Sequence, residues 1–210
     1  MALNSYSALR ASIADWLNRD DLTSVIPDFI SLAEAQIERR VPTQRMVVRT
    51  NLTISSQFTN LPSDFLSAKS LVLTSTSPVR PLEFVTEDEM DAKRVVFQAV
   101  GKPAYFTIIG TTVEVVPTPD TSYTAELTYF QTFAKLSDSN TTNWLLERHP
   151  DVYLYGSLLQ AAPYLRDDER VGMWTALYGQ AIEDMIVQND RASLSQGRAV
   201  MKVKPTRVIP

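Results

Sequence analysis

The chain has 210 residues, 44% apolar and 21% charged, a composition that supports a packed core and excludes general disorder. Cysteine is absent, which removes disulfides, thiolate metal sites and cysteine nucleophiles together and fits an intracellular assembly environment. The net charge of -4 is unevenly spread: residues 196–210 carry four basic residues and no acid, leaving sixteen basic against twenty-four acidic residues elsewhere.

The first forty residues read as two helices. Tyr6, Leu9, Ile13, Trp16 and Leu17 recur at three- and four-residue intervals, with Asn4 or Ser5 as N-cap and Asn18-Arg19-Asp20-Asp21 as a polar break. Ile26, Phe29, Ile30, Ala33, Ile37 and Val41 mark a second stripe; Pro27 fits its first turn and Pro42 ends it. The short connection predicts an antiparallel helical hairpin.

From Met46 to about Phe133 the period changes to two. Val48, Leu52 and Ile54 alternate with polar residues, and Ser70 to Leu73 is a second strand candidate. Thr86-Glu87-Asp88-Glu89 is a capping-box pattern opening a short helix through Arg94. Ala104 to Ile109 and Thr112 to Val116 flank Gly110-Thr111 as a hairpin. Tyr123, Ala125, Leu127 and Tyr129 share one face of a further strand.

The last third returns to helix. Pro150 opens a segment carrying Leu154, Leu158, Ala161, Ala162 and Leu165, which Pro163 should kink or end early. Asp167-Asp168-Glu169 begins another helix with the apolar face Val171, Trp174, Leu177, Tyr178, Ala181, Met185 and Ile186. The fold class expected is α+β: a four-helix bundle from residues 1–45 and 140–195, a central antiparallel β-sheet or sandwich lobe at 46–139, and an extended C-terminal tail at 196–210.

Signatures of catalysis are scarce. His149 is the single histidine, and no Gly-x-Ser-x-Gly elbow exists to partner it, so a helix-terminal or surface role is the better reading. The six glycines form neither a dinucleotide fingerprint nor a phosphate-binding loop. Glu87, Asp88, Glu89 and Asp91 could hold a cation or form an acid/base pair. Adjacent acids at a helix start more often complement its dipole, and Asp167, Asp168 and Glu169 read the same way. Tyr153, Tyr155, Tyr164, Trp174 and Tyr178 crowd the last third among acids, favouring core or subunit-interface packing over base stacking. No catalytic, cofactor-binding or metal-binding residue is assigned, and no enzymatic activity is expected.

No signal peptide is visible at Met1, and no run approaches the roughly 20 apolar residues of a membrane helix, so a soluble protein without membrane contact is expected.

One set of segments carries a resemblance. Asn143-Trp144-Leu145-Leu146, Pro150 to Gly156 and Ala161 to Leu165, continued by Asp167 to Arg170 with Trp174 and Tyr178, look like a C-terminal signature. Ile13 to Leu22, Ile26 to Glu34, Leu61 to Leu66 and Gly101-Lys102-Pro103 follow the same pattern in order. Together they resemble the head-to-tail adaptor (connector) proteins of tailed bacteriophages. The chain departs from that pattern after the second helix, where Val41-Pro42-Thr43 replaces a longer basic helical run.

The resemblance implies a structural protein of the virion neck, made in the host cytoplasm. It implies a ring of copies, dodecameric in the family, lying under the portal protein and receiving the tail nozzle or tail components. DNA is then only passing cargo, in keeping with an acidic body that lacks the cationic surface of a nucleic-acid binder. No cofactor is implied. A different neck or tail-completion protein is the runner-up, and a carboxylate-dependent hydrolase a remote third.

The tail supplies the candidate partner-binding residues. Arg198, Val200, Lys202, Val203, Lys204, Arg207 and Val208 interleave charge with valine without helical period, which suits an extended segment laid into a groove or added to a sheet edge. They are expected to dock on the portal.

Overall fold

The computed structural model describes residues 3–40, 44–165 and 169–195, with side chains through Arg191. They form a mixed α+β chain with six helices and two four-stranded sheets. In chain order come α1 (Tyr6–Leu17), α2 (Ile26–Arg40), a 3-10 turn (Gln44–Met46), β1 (Val47–Ile54), β2 (Phe58–Asn60), β3 (Phe65–Leu73), β4 (Arg80–Pro81) and β5 (Glu83–Phe84). Then follow α3 (Glu87–Val96), β6 (Tyr105–Ile109), β7 (Thr112–Val116), β8 (Tyr123–Gln131), α4 (Trp144–Arg148), α5 (Pro150–Leu165) and α6 (Val171–Ser195). Contacts divide the chain into two compact units. One is Arg45–Phe133; the other is drawn from the described residues of Met1–Gln44 and Ala134–Pro210.

In the helical unit, α1 begins at Ser5, whose hydroxyl accepts the Ala8 amide at 3.2 Å and so settles the cap in favour of Ser5 over Asn4. It stops at Asn18, which takes the left-handed conformation (φ 54°) that asparagine tolerates better than most residues. Tyr6, Leu9, Ile13 and Leu17 are buried as the spacing predicts. Trp16 is not: it is 40% exposed and meets the Tyr155 ring edge-on at 5.8 Å. Leu17 continues the line of Leu9 and Ile13 at four-residue steps, which leaves position 16 on the border of the buried face.

The second stripe is buried from Ile26 through Ile37, with Pro27 in the first turn. Val41 and Pro42, expected to close this helix, lie outside the described residues. Helix α5 is the hub of the unit and contacts α1, α2, α4 and α6. It carries Pro163 inside its span and is described through Leu165.

Gly156 shows how closely the helices approach. A β-carbon built there would stand 3.1 Å from the Tyr178 ring of α6 and 3.4 Å from the Ala33 methyl of α2. Alanine would offset much of that crowding through its better helix propensity. A β-branched side chain would not: Gly156→Val should lower stability by about 1–3 kcal/mol, the usual cost of overpacking a filled core, measured by urea titration.

On α6, Trp174, Tyr178, Ala181 and Met185 are buried, and Val171 and Leu177 half-buried. Ile186 departs from the expectation at 38% exposed, its place taken by Ile182. The buried line runs 174, 178, 181, 182, 185, and position 186 lies a further 100° round the helix. Asp167 and Asp168, expected to open this helix, fall outside the described residues.

The β unit contains two sheets, ordered β1-β8-β3-β4 and β2-β7-β6-β5. Pairing is antiparallel except for the short β5–β6 contact, which is parallel. Period-two alternation places Leu52, Ile54, Leu71, Leu73, Val113 and Leu127 in one shared core. The hairpin turns at Gly110, whose φ of 59° is a conformation glycine adopts without strain. Strand β3 is longer than its sequence suggests. It begins at Phe65, with register shifts between Phe65 and Ser67 and between Ala68 and Ser70. Helix α3 carries the expected capping box: Thr86 accepts the Glu89 amide while the Glu89 carboxylate accepts the Thr86 amide.

Candidate functional site

The acids at the start of α3 point to solvent and to the helix cap rather than to a shared site. Glu87, Asp88, Glu89 and Asp91 are all exposed. Glu89 completes the cap of α3, and Asp91 pairs with Arg94 one turn on at 3.2 Å. Among the described residues no group of three or more His, Cys, Asp or Glu is placed to hold a metal ion. His149 caps the C-terminus of α4 and is half-buried, in the helix-terminal role expected of it.

Two other acids, Glu34 and Glu114, are buried among the described residues. Glu34, 1% exposed, sits on α2 between Ala33 and Ile37. Its Oε1 accepts the Leu136 amide at 2.8 Å and the Tyr153 hydroxyl at 2.9 Å. That hydroxyl in turn accepts Nδ2 of Asn143 at 2.7 Å. Asn143 also donates to the Ala134 carbonyl at 2.8 Å and caps α4 by accepting the Leu146 amide at 2.9 Å.

Burial pushes the Glu34 carboxyl above its ordinary range, and the bonds from Leu136 and Tyr153 offset part of that. Burial, then the neighbouring Glu34 charge, pushes the Tyr153 phenol up, which keeps it a donor. The network ties α2, α5 and the segment between β8 and α4 together. An acceptor so enclosed is built to hold elements rather than to meet a substrate.

Glu114, fully buried on β7, does the corresponding work in the β unit. Its Oε1 accepts Nε of Arg94 at 2.5 Å, the Arg94 Nη2 donor and Nε2 of Gln57 at 2.9 Å. A charge taken out of water needs such a partner, and here the partner fixes α3 onto its sheet. Only Glu34 carries a signal of position, standing four residues after Ile30 on the apolar stripe of α2; Glu114 alternates with Val113 and Val115 and reads as the polar face of its strand.

Of the clustered aromatics, Tyr153, Trp174 and Tyr178 are core residues, while Tyr164 is 57% exposed and touches Phe29 edge-on. Arg170 lies over the Trp174 ring, 5.0 Å from its centroid. The tail residues Arg198, Val200, Lys202, Val203, Lys204, Arg207 and Val208 lie outside the described residues. No described helix is long and apolar enough to cross a membrane.

The buried polar groups of each unit thus join its elements, and several large apolar side chains remain on the surface. The family model for the SU10 adaptor protein matches residues 4–202. The chain belongs to that family of bacteriophage adaptors, and the resemblance carried by the segments around Asn143, Pro150 and Ile26 is borne out. No curated protein matches the sequence.

Proposed function

We propose that this chain forms a ring in the neck of a tailed phage, joining the portal to the tail nozzle or tail components and lining the DNA passage. The observation that carries the reading is the extent of the family match, which runs through both compact units. In this reading the four long helices of the helical unit form a bundle around α5 that faces the portal and neighbouring copies. The β unit forms a second lobe. Outside residues 196–210 the chain has a net charge of -8, so its surface does not grip DNA in transit. The test is electron microscopy of the protein mixed with its portal. A ring stacked on the portal is expected, and a portal left bare would overturn the reading. Another neck or tail-completion role is separated by the same experiment, since it needs no direct portal binding.

The isolated protein should be monomeric or weakly associated, because free rings would compete with productive attachment. Sedimentation at micromolar concentration checks this, and a stable closed ring without portal is the contrary result.

The tail 196–210 is proposed as the main portal-docking element. Its charge would orient and speed the approach, while its valines would supply buried contact. Deleting residues 196–210 should leave the protein folded but abolish or greatly weaken co-sedimentation with portal rings. Neutralising Lys202, Lys204 and Arg207 together should weaken it less, chiefly through the salt-sensitive encounter. Full-strength binding by the truncated form would move the interface to the helical unit.

A further inference from the structure

Strand β3 departs from regular geometry twice within four residues. Its register against β8 sets Phe65 opposite Gln131, Ser67 opposite Phe130, Ala68 opposite Tyr129 and Ser70 opposite Thr128, so Leu66 and Lys69 face no partner residue. A bulge leaves its extra residue unpaired and re-aims side chains, and here both extra residues line one groove of about 510 Å³.

The floor of that groove belongs to the core of the β unit: Phe106 is buried, and Phe65, Ala68 and Ile108 pack against the same cluster. Phe84 of β5, 60% exposed, adds a wall and meets Phe106 edge-on at 5.4 Å between ring centroids. Leu66 and Ser67 complete the β3 side, and Lys69 supplies the one charge of the lining. Among the described residues Lys69 forms no ion pair. Its ammonium lies 5.9 Å from the Phe130 ring centroid, at the outer limit of cation–π contact.

These features decide between kinds of occupant. Bulges and lysines are means by which sheet edges refuse a further strand, so an extended segment does not add along this part of β3. Eight lining residues are also too few for a protein partner, since stable interfaces take roughly 20–30 residues a side. The volume falls instead within the roughly 300–1,000 Å³ of small-molecule sites. The lining agrees: it is mostly apolar and aromatic, with few polar groups to orient what binds.

We propose that the groove is a binding site for a small amphiphilic anion, an apolar chain or ring system carrying one carboxylate or sulfonate. The apolar body lies over Phe106 and Ile108 against Phe84, and the anionic head meets Lys69. Charge decides the class, because a neutral apolar ligand gives the ammonium no partner and a cationic one is repelled by it. The site lies wholly within the β unit and goes beyond the neck reading, on which it does not depend.

The test is a titration of the full-length protein with anilinonaphthalene sulfonate, followed by fluorescence, and displacement of that probe by decanoate. One saturable site per chain is expected. Lys69→Met should weaken displacement by decanoate about fivefold, the worth of one partly exposed ion pair, and leave displacement by decanol unchanged. Phe84→Asp should abolish binding of the probe. Val96→Asp, placed on the exposed apolar end of α3, should leave it unchanged. All three positions are exposed, so thermal melting of the variants should stay close to that of the parent. Four results overturn the site: no saturable binding by the parent, undiminished displacement by decanoate in Lys69→Met, displacement by decyltrimethylammonium as strong as by decanoate, or loss of binding in Val96→Asp.

Discussion

Trp174→Ala should lower the free energy of unfolding by about 3–5 kcal/mol, the usual range for truncating a buried aromatic. Trp174 has no solvent exposure and is among the largest fully buried side chains of the described residues. It lies on the same face of α6 as Tyr178, which packs against Gly156, so the void would open one turn from that close contact. The indole nitrogen is buried with no hydrogen-bond partner among the described residues. Trp174→Phe therefore loses ring area but no hydrogen bond, and should cost clearly less than the alanine variant. Denaturant titration of the three proteins checks both statements; a loss below about 1 kcal/mol for Trp174→Ala would place the side chain at the surface.

Glu34→Leu should cost about 2–4 kcal/mol, because it strands the Leu136 amide and the Tyr153 hydroxyl in a buried place, each worth about 1–3 kcal/mol when left unpaired. Glu34→Gln keeps an acceptor oxygen for both donors and should stay within about 1 kcal/mol of the parent at neutral pH. The two variants also differ in pH dependence. The folded-state pKa of Glu34 lies above its unfolded value, so the folded protein takes up the proton first as pH falls. The resulting stabilisation is complete below the unfolded pKa and is lost as pH rises through the folded one. Glu34→Gln should flatten that component between the two values, which paired titrations across mildly acidic pH would reveal. A slope unchanged by Glu34→Gln would assign the pH dependence to other groups.

Much of this architecture was legible because burial imposes a period. The stripes of α1, α2 and α6, the alternation in β1 and β8, and the capping box at Thr86 each satisfy a local rule that needs no knowledge of the partner surface. Phe65 to Lys69 escaped because two register shifts in β3 break the alternation that would have marked it. Trp16 and Ile186 were misplaced because spacing alone cannot tell the centre of a buried stripe from its border. Short helix α4 has too few residues for a period, and was visible only as part of a resemblance. Glu34 and Glu114 were missed for a different reason. A buried carboxylate depends on donors far along the chain, Leu136 and Tyr153 for one and Arg94 and Gln57 for the other, and no local pattern announces them.

The helical unit is discontinuous in sequence, and this bears on the order in which the chain can fold as it is synthesised. Helices α1 and α2 emerge from the ribosome first, yet their hub, α5, begins at Pro150, more than a hundred residues after α2 starts. Isolated helices of 12 and 15 residues are marginal in water, so the first two have little to hold them until α5 arrives. All strands of the β unit are complete by Gln131, so this unit can close while the amino-terminal helices still wait. Its closure also brings Gln44 and Ala134 under the control of one folded body, replacing a long flexible loop by a fixed spacing and lowering the entropy cost of bringing α2 to α5. Mutations that slow closure of the inserted segment should therefore delay the helical unit even where they touch none of its residues.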